Sequence, residues 1–441
     1  MEFKRSHRSL HSIFISFIGL LCVLISYSFW KLIWFDEVLQ FAIASYDSSG
    51  TALQVFLSTT GGTNHGQTGA YFLADYFLLN WFGASELWLR LPSIFSGFWL
   101  FLSAQKLYKQ WRLPSYWQVF GMLLLFTNHW IMDFVSEARP YLPLAAFSVG
   151  TFAYYHISIE NRKKWQNYIW GYASVLGGCV FHPYFCLYWV FSIFIGYFFL
   201  KYVKKEHTPI LKHLDPVLVC VGTIVYFYIA FSTWLGHMPK HGLDPFYFVP
   251  KNHWFPRRVV SIHFESLAKL KTPFVLALLF SGIGIFYYST FKKLKNKFIY
   301  TYFLIGGSLS ITALLVYLSY KSPYWILERQ WIASIAFVLI GSTFFAYLFS
   351  KVIPKKLNII WMIILFSWIA WHSLSVASTH IQRNFAYFKN KTPTTIQEPS
   401  TPPQTNGEWE SLARMNCDQG GPVWKIFQYY YKPININSLH D

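Results

Sequence analysis

Residues 12–37 read SIFISFIGLLCVLISYSFWKLIWFDE, an apolar run long enough to cross a lipid bilayer that ends in two acidic residues. A transmembrane helix needs about 20 mainly apolar residues to span a hydrocarbon core about 30 Å thick. The run follows basic residues and lacks a small-residue cleavage site, so it is predicted to be an uncleaved first span. Asp36 and Glu37 therefore stand at the mouth of a first transmembrane helix.

Similar apolar runs recur along the whole chain. The 441 residues are 54% hydrophobic and 13% charged, whereas a soluble domain carries roughly 25% charged residues. We therefore expect an all-α integral membrane protein with a polytopic helical bundle of about 11 spans, and we exclude a soluble core. The predicted spans cover residues 12–33, 87–106, 115–135, 140–158, 167–181, 184–200, 215–233, 273–290, 299–320, 331–350 and 357–376.

Clusters of Lys and Arg predict how the chain is oriented. Cytoplasmic loops of membrane proteins are enriched in these residues, and the clusters alternate with pairs of spans if the N-terminus is cytoplasmic. This distribution accounts for the formal net charge of +18 without a nucleic-acid partner. The clusters lie at residues 4–8, 106–112, 162–164, 201–205, 292–297 and 351–356.

The loops and domains follow from this topology. Residues 66–82 are apolar, but a crossing there would move every later basic cluster to the other side. They are predicted to form a helix at the outer interface, within a first outer loop of residues 36–86. A second long outer loop covers residues 234–272. Residues 1–376 are assigned to the transmembrane module and 377–441 to a short extracytoplasmic tail with a Thr/Pro-rich linker.

Ionisable residues gather at the predicted outer ends of the spans and in the outer loops. An ion-coupled carrier would place such residues near the bilayer midplane, so their position favours a catalyst at the membrane–water boundary. They are Asp36, Glu37, His65, Asp75, Glu86, Arg90, Asp133, Glu137, Arg139, His182, Glu328, Arg329 and Arg383.

The acidic pair Asp36-Glu37 is the strongest catalytic candidate. Negative charge at a helix C-terminus is disfavoured by the helix dipole. Two carboxylates at this position therefore favour a functional role. A carboxylate acting as general base on a hydroxyl contributes about 10²–10⁴ in rate. The alternative is a pair of solvated charges that ends the helix.

Two arginines and two histidines are candidates for binding an anion. The planar guanidinium groups of Arg139 and Arg329 suit phosphate oxygens; the alternatives are an ion pair between Glu137 and Arg139, and an interfacial Arg329 extended toward water. His65 and His182 could contact phosphate or a metal, or could be ordinary hydrogen-bonding residues. The five cysteines form no Cys-x-x-Cys pair, so neither a disulfide framework nor a structural zinc site is expected.

Five short motifs, in this order along residues 10–350, resemble those of the GT-C membrane glycosyltransferases. The resemblance is to the dolichyl-phosphate-mannose-protein mannosyltransferase-like group, which includes bacterial aminoarabinose and rhizobial lipopolysaccharide sugar transferases. The motifs are Phe35-Asp36-Glu37, Leu87-Trp88-Leu89-Arg90-Leu91-Pro92-Ser93, Ser136-Glu137-Ala138-Arg139-Pro140-Tyr141, Phe181-His182-Pro183-Tyr184-Phe185 and Glu328-Arg329.

The resemblance implies transfer of a sugar from a polyprenyl-phosphate carrier, undecaprenyl or dolichyl, to a hydroxyl acceptor on the extracytoplasmic face, with inversion. It implies that Asp36, assisted by Glu37 and Glu137, forms the catalytic group. The implied substrate-binding residues are His65, Arg90, Arg139, Tyr141, His182 and Arg329. Unlike the group's His-Pro-Pro, this chain has Asn64-His65-Gly66-Gln67 before the predicted interfacial helix.

No nucleotide site is expected, because activation would lie in the carrier phosphate, and no Gly-rich phosphate loop is present. No metal ligands are assigned, and a divalent cation is left open as a cofactor. The expected location is a bacterial inner membrane. The alternatives are a transporter or flippase of lipid-linked sugars and a non-catalytic membrane protein of envelope assembly.

Overall fold

The structure is a computed structural model, and it describes only part of the chain. The described residues are 37, 40, 44, 68–83, 85–207, 209–231, 281, 283–285, 289–321 and 331–389. The predicted first span, most of the predicted span at 273–290 and the second outer loop lie outside these ranges. So do three predicted site residues, Asp36, His65 and Arg329.

The described part of the chain is mostly helical and contains no strand. Helices α1 to α14 cover Ala70–Phe82, Glu86–Gln110, Ser115–Phe126, His129–Val135, Tyr141–Tyr155, Ile159–Arg162, Trp165–Phe181, Phe185–Phe198, Ile210–Leu214, Pro216–Val225, Ser289–Lys293, Lys295–Lys321, Ile332–Val352 and Lys355–Lys389. Two π-helical turns, Phe199–Val203 and Tyr226–Phe231, continue α8 and α10. Glu37, Gln40 and Ala44 are also helical.

Five of these helices are long and apolar enough to cross a membrane, which supports a helical membrane protein. These candidate spans are Leu87–Gln110, Phe185–Val203, Lys295–Leu315, Ile332–Val352 and Lys355–Ser375. Each overlaps a span predicted from the sequence.

Two predicted boundaries differ from the structure. The single span expected over residues 115–135 is divided into α3 and α4, because Asn128 caps the second helix by accepting from the Trp130 and Ile131 N–H groups at 3.1 and 3.4 Å. The last helix, expected over residues 357–376, continues to Lys389. The domain boundary placed after residue 376 therefore falls inside α14.

The helix predicted within residues 66–82 is confirmed as α1, which is 13 residues long. Gly83 ends it with a backbone φ of +84°, a conformation in which residues with a Cβ are strained. The Ser85 side chain then caps α2 by accepting from the Trp88 N–H at 3.3 Å. A short turn thus connects α1 directly to the first candidate span.

Helix α5 lies at the centre of the bundle, packed against α2, α7, α8 and α13. Two glycines allow this close packing: a Cβ on Gly150 would lie 2.4 Å from Ser174 Oγ, and one on Gly196 would lie 2.7 Å from the Tyr155 carbonyl oxygen. Helix α13 is 89% buried across its candidate span and α14 only 11%, so α14 lies at the periphery.

A buried arginine organises the end of the bundle where α5 stops. The Arg162 side chain donates to the backbone carbonyls of Ile157, Tyr155 and His213 at 3.0, 2.8 and 2.7 Å. Its guanidinium also lies over the rings of Tyr154 and Tyr155, about 5 Å from each centroid. No carboxylate among the described residues forms an ion pair with it. This end contains the basic cluster at residues 162–164, predicted to be cytoplasmic.

Candidate functional site

The other end of α5 contains a buried ion pair between Glu37 and Arg90. Arg90 Nε donates to Glu37 Oε1 and Arg90 Nη2 donates to Glu37 Oε2, each at 2.8 Å, and both side chains are fully buried. Such a two-pronged pair fixes the relative orientation of two elements, because both planar groups must lie in register. The helix that contains Glu37 is thereby fixed to the start of α2.

The same carboxylate holds the turn between α4 and α5, residues 136–140. The Ala138 backbone N–H donates to Glu37 Oε1 at 2.8 Å, across 101 positions of sequence. Ser93, one turn after Arg90 on α2, donates from Oγ to the Glu137 carbonyl oxygen at 2.5 Å. Glu37 and Ser93, on two different helices, thus bind backbone groups of the turn that contains Glu137 and Arg139.

Tyr71 of α1 completes this connection. Its hydroxyl lies 2.8 Å from Ser93 Oγ, and both groups are buried. Since the single hydroxyl proton of Ser93 is donated to Glu137, the Tyr71 hydroxyl is the donor in this bond. Burial raises the pKa of Tyr71 above its ordinary value, and the negative charge of Glu37 raises it further. The phenol is therefore neutral and available as a donor. We call Glu37, Tyr71, Arg90 and Ser93 the turn clamp.

Glu137 and Arg139 themselves are almost completely buried, with 5% and 4% of their surfaces exposed. Charged side chains are rarely buried unless they have a binding or structural role. Tyr141, at the start of α5, is 3% exposed and follows this turn directly. The structure therefore gathers Glu37, Arg90, Glu137, Arg139 and Tyr141 at one end of the helical bundle.

His182 lies next to this group, at the end of α7. Its ring centroid is 6.4 Å from that of Tyr141. The Tyr184 backbone N–H donates to His182 Nδ1 at 3.2 Å, so Nε2 carries the proton when the ring is neutral. Burial lowers the pKa of His182 to about 3, which keeps the ring neutral near pH 7. His182 is thus suited to donate one hydrogen bond from Nε2.

Tyr226 fixes the turn that contains His182. It starts the π-helical turn after α10, and its hydroxyl donates to the Pro183 carbonyl oxygen at 2.8 Å. π-Helical turns are often found at functional sites. The turn between α7 and α8 that contains His182 is therefore held by a residue that follows α10, and the ring itself by the Tyr184 N–H.

Beside the turn clamp lies a second polar pair, Gln40 and Asp75, both fully buried. Gln40 Nε2 donates to Asp75 Oδ2 at 3.0 Å. Burial raises the pKa of Asp75 well above its ordinary value, the hydrogen bond from Gln40 opposes this, and the negative charge of Glu37 adds to it. The neutral carboxylic acid is therefore favoured.

Four residues around this site were not predicted as site residues: Tyr71, Ser93, Gln40 and Asp75. The sequence contained two usable signals. Ser93 closes the second motif, three positions after Arg90, and Gln40 lies three positions after Glu37. At that spacing, side chains share one face of a helix. Tyr71 and Asp75 share a face of α1 in the same way, but nothing in the sequence indicated which face is covered.

A metal centre is not evident in the described ranges, where no group of three or more His, Cys, Asp and Glu side chains is arranged to hold an ion. His65, predicted as a contact for phosphate or a metal, lies outside those ranges. Comparison of the chain with protein-family models, curated proteins and solved structures found no match.

Proposed function

We propose that this protein is a GT-C-type glycosyltransferase of the bacterial inner membrane. It transfers a sugar from a polyprenyl-phosphate donor to a hydroxyl acceptor at the extracytoplasmic face. The observation that supports this most strongly is the contact of Glu37 with Arg90 and Ala138. Glu37, Arg90 and Ala138 belong to three of the five motifs. Arg90 and Ala138 follow Glu37 by 53 and 101 positions, and both bind its carboxylate.

The reaction follows from these groups. Asp36, joined to Glu37 by a peptide bond, accepts the proton of the acceptor hydroxyl. The acceptor oxygen forms a bond to the anomeric carbon while the bond from that carbon to the phosphate oxygen breaks, which inverts the configuration. The polyprenyl phosphate leaves with the bonding electrons. Arg139 and Arg329 stabilise its increased negative charge.

Glu37 has a different role from Asp36 in this scheme. Its carboxylate is fully buried and engaged by Arg90 and Ala138, which suits a positioning residue better than a base that exchanges protons. It binds the backbone of the Glu137–Arg139 turn and follows the proposed base directly in the sequence. Catalytic groups must be held within fractions of an ångström to be effective.

A transporter or flippase is less well supported. It would need charged or polar groups along a path through the bilayer centre. In the described ranges, Arg90 lies near the start of α2, Glu137 and Arg139 lie in a turn, and Arg162 ends α6, while Asp75 lies in α1, the helix predicted at the outer interface. Arg162 lies at the opposite end of α5, and the other buried charged residues belong to the end that contains the Glu137–Arg139 turn, which favours chemistry at that surface.

The test is the Asp36→Asn variant of the purified full chain, assayed with polyprenyl-phosphate mannose, glucose, galactose and arabinose and a mixture of hydroxyl acceptors. Loss of the base is expected to lower turnover by about 10²–10⁴. Glu160→Gln, an exposed carboxylate at the opposite end, is the matched control and should keep full turnover.

Two results would contradict the proposal. One is wild-type turnover by Asp36→Asn, which would exclude this residue as the base. The other is the absence of sugar transfer by the wild-type protein with all four donors, combined with movement of intact donor across the bilayer.

A further inference from the structure

Two buried polar atoms beside the turn clamp have no hydrogen-bond partner among the described residues. They are Gln40 Oε1 and Asp75 Oδ1, the atoms of this pair that are not used in the Gln40–Asp75 hydrogen bond. A buried polar atom without a partner costs free energy, so folded proteins keep few of them. Two such atoms on adjacent, hydrogen-bonded side chains indicate a place where a polar ligand group completes the bonding.

The position of the pair relates it to the proposed reaction. Gln40 follows Glu37 by about one helical turn, so the two side chains share a face of their helix. Asp75 lies one turn after Tyr71 on α1, and Tyr71 contacts Ser93 of the turn clamp. The charge of Glu37 acts on both Tyr71 and Asp75. The pair therefore lies beside the turn clamp, which contains Glu37, the residue that follows the proposed base in the sequence.

We propose that Gln40 Oε1 and Asp75 Oδ1 bind one hydroxyl group of the sugar that the lipid donor carries. This rests on the proposed function and specifies how its donor is recognised. A hydroxyl both donates and accepts a hydrogen bond, whereas the amide oxygen only accepts and a carboxylic acid O–H donates. One sugar hydroxyl therefore satisfies both atoms: it donates to Gln40 and accepts from Asp75.

The electrostatics favour a neutral ligand group over a charged one. Burial and the nearby Glu37 carboxylate raise the pKa of Asp75, although the Gln40 amide opposes this. A neutral acid beside the Glu37 carboxylate offers little to a phosphate anion. Arg90, a cation of the adjoining turn clamp, is already paired with Glu37. The carrier phosphate is therefore expected to bind elsewhere, and the sugar ring here.

The experiment compares variants and donors in one thermodynamic cycle. The full chain in lipid nanodiscs is titrated with polyprenyl-phosphate mannose, glucose, galactose and arabinose. The best-bound donor is then replaced by its monodeoxy analogues, each lacking one hydroxyl. Wild type should bind one deoxy analogue about tenfold or more weaker than the parent donor. Asp75→Leu should bind parent and analogue equally, both at the weakened affinity.

Two further variants show which form of Asp75 acts. Asp75→Asn keeps one acceptor and one donor in the same positions, so it should bind the parent donor within about threefold of wild type. Gln40→Met removes the acceptor at similar volume and should weaken binding as Asp75→Leu does. Loss of affinity in Asp75→Asn equal to that in Asp75→Leu would overturn the proposal and indicate an ionised carboxylate that binds an amino group.

The remaining outcomes separate this proposal from the proposed function. If removing a hydroxyl from the donor weakens binding by the same factor in Asp75→Leu as in wild type, for every analogue, then no sugar hydroxyl binds Asp75. The proposal is then overturned, even if transfer proceeds. If the cycle behaves as expected but no sugar reaches a hydroxyl acceptor, the sugar site stands and the transferase function fails. Absence of binding by all four donors would overturn both.

Discussion

Two fully or nearly buried arginines, Arg90 and Arg162, stand at opposite ends of the central helix α5 and are satisfied in different ways. Arg90 forms a two-pronged ion pair with Glu37, whereas Arg162 donates to three backbone carbonyls and lies over two tyrosine rings. The 15 residues of α5 place the two ends about 22 Å apart.

The surroundings of the two arginines differ as well. Around Arg162, Asp215 accepts from the Tyr154 hydroxyl at 2.5 Å, and His213 both contacts Arg162 and lies 3.0 Å from the Ile193 carbonyl oxygen. Near Arg90, the Gln40–Asp75 pair keeps two buried atoms without a partner. A polar cluster whose hydrogen bonds are complete is typical of a structural role, and an incomplete one is typical of a binding site.

The largest effect is expected from Arg90→Met. It removes the cation and leaves the Glu37 carboxylate buried without its main partner, which should lower the free energy of unfolding by about 3–5 kcal/mol. Denaturant titration in mixed micelles measures this. Adding Glu37→Gln should recover part of the loss, since the charge is removed while the acceptor for Ala138 remains. If the double variant is no more stable than Arg90→Met, the unpaired Glu37 charge is not the cause of the lost stability.

A smaller loss is expected from Arg162→Met, about 1–3 kcal/mol, because it leaves carbonyl oxygens short of donors but no buried charge unpaired. Removal of a nearby carboxylate, as in Asp215→Asn, should not restore it. Transfer activity per folded molecule should stay at the wild-type value, in contrast to Arg90→Met. A selective fall in turnover for Arg162→Met would show that this end also takes part in the reaction.

Ser93→Ala tests the connection between the clamp and the turn. Loss of the hydroxyl leaves the Glu137 carbonyl and the Tyr71 hydroxyl without this shared partner, at a cost of about 1–2 kcal/mol. Misplacement of the turn should lower kcat/KM about tenfold. Ser103→Ala is the matched control, a buried serine of the same helix that bonds only the Trp99 carbonyl. Equal kinetic effects in both variants would contradict a role for Ser93 in positioning the turn.

The smallest expected effect is on the pKa values of two histidines, His182 near the turn clamp and His213 near Arg162. The pKa of His182 is lowered to about 3 by burial, and that of His213 to about 3 by burial and then by the charge of Arg162. Both rings are neutral in the folded protein. The unfolded chain takes up protons below pH 6.5, so each histidine destabilises the fold as the pH falls from 6.5 toward 3.

Arg162→Met should therefore raise the pKa of His213 and leave that of His182 unchanged. NMR titration of protein labelled at the histidine ring nitrogens, with His182→Asn and His213→Asn for assignment, measures both values. Equal shifts at both rings would show that the two ends are electrostatically coupled, which a separation of about 22 Å makes unfavourable.

Much of the architecture follows directly from the order of residues. Apolar runs with basic clusters between them predicted helical spans at positions that overlap all five candidate spans of the structure. The helix Ala70–Phe82 was also expected. The break at Asn128 was not, because a single capping residue hardly lowers the mean hydropathy of a long run. The extension of α14 to Lys389 was missed because a helix can continue with polar residues beyond the apolar stretch.

The sequence by itself determined that the chain is a helical membrane protein whose charged residues avoid the centres of its spans, since lipid penalises unpaired charge wherever it occurs. It could also single out Glu37, Arg90, Glu137, Arg139, Tyr141 and His182 as members of short motifs. Only the tertiary structure decided that Glu37 is paired with Arg90 and holds Ala138, and that Gln40 meets Asp75. Hydrophobicity acts on each segment alone, whereas a hydrogen bond between residues 101 positions apart exists only once helix packing has brought both partners to one place.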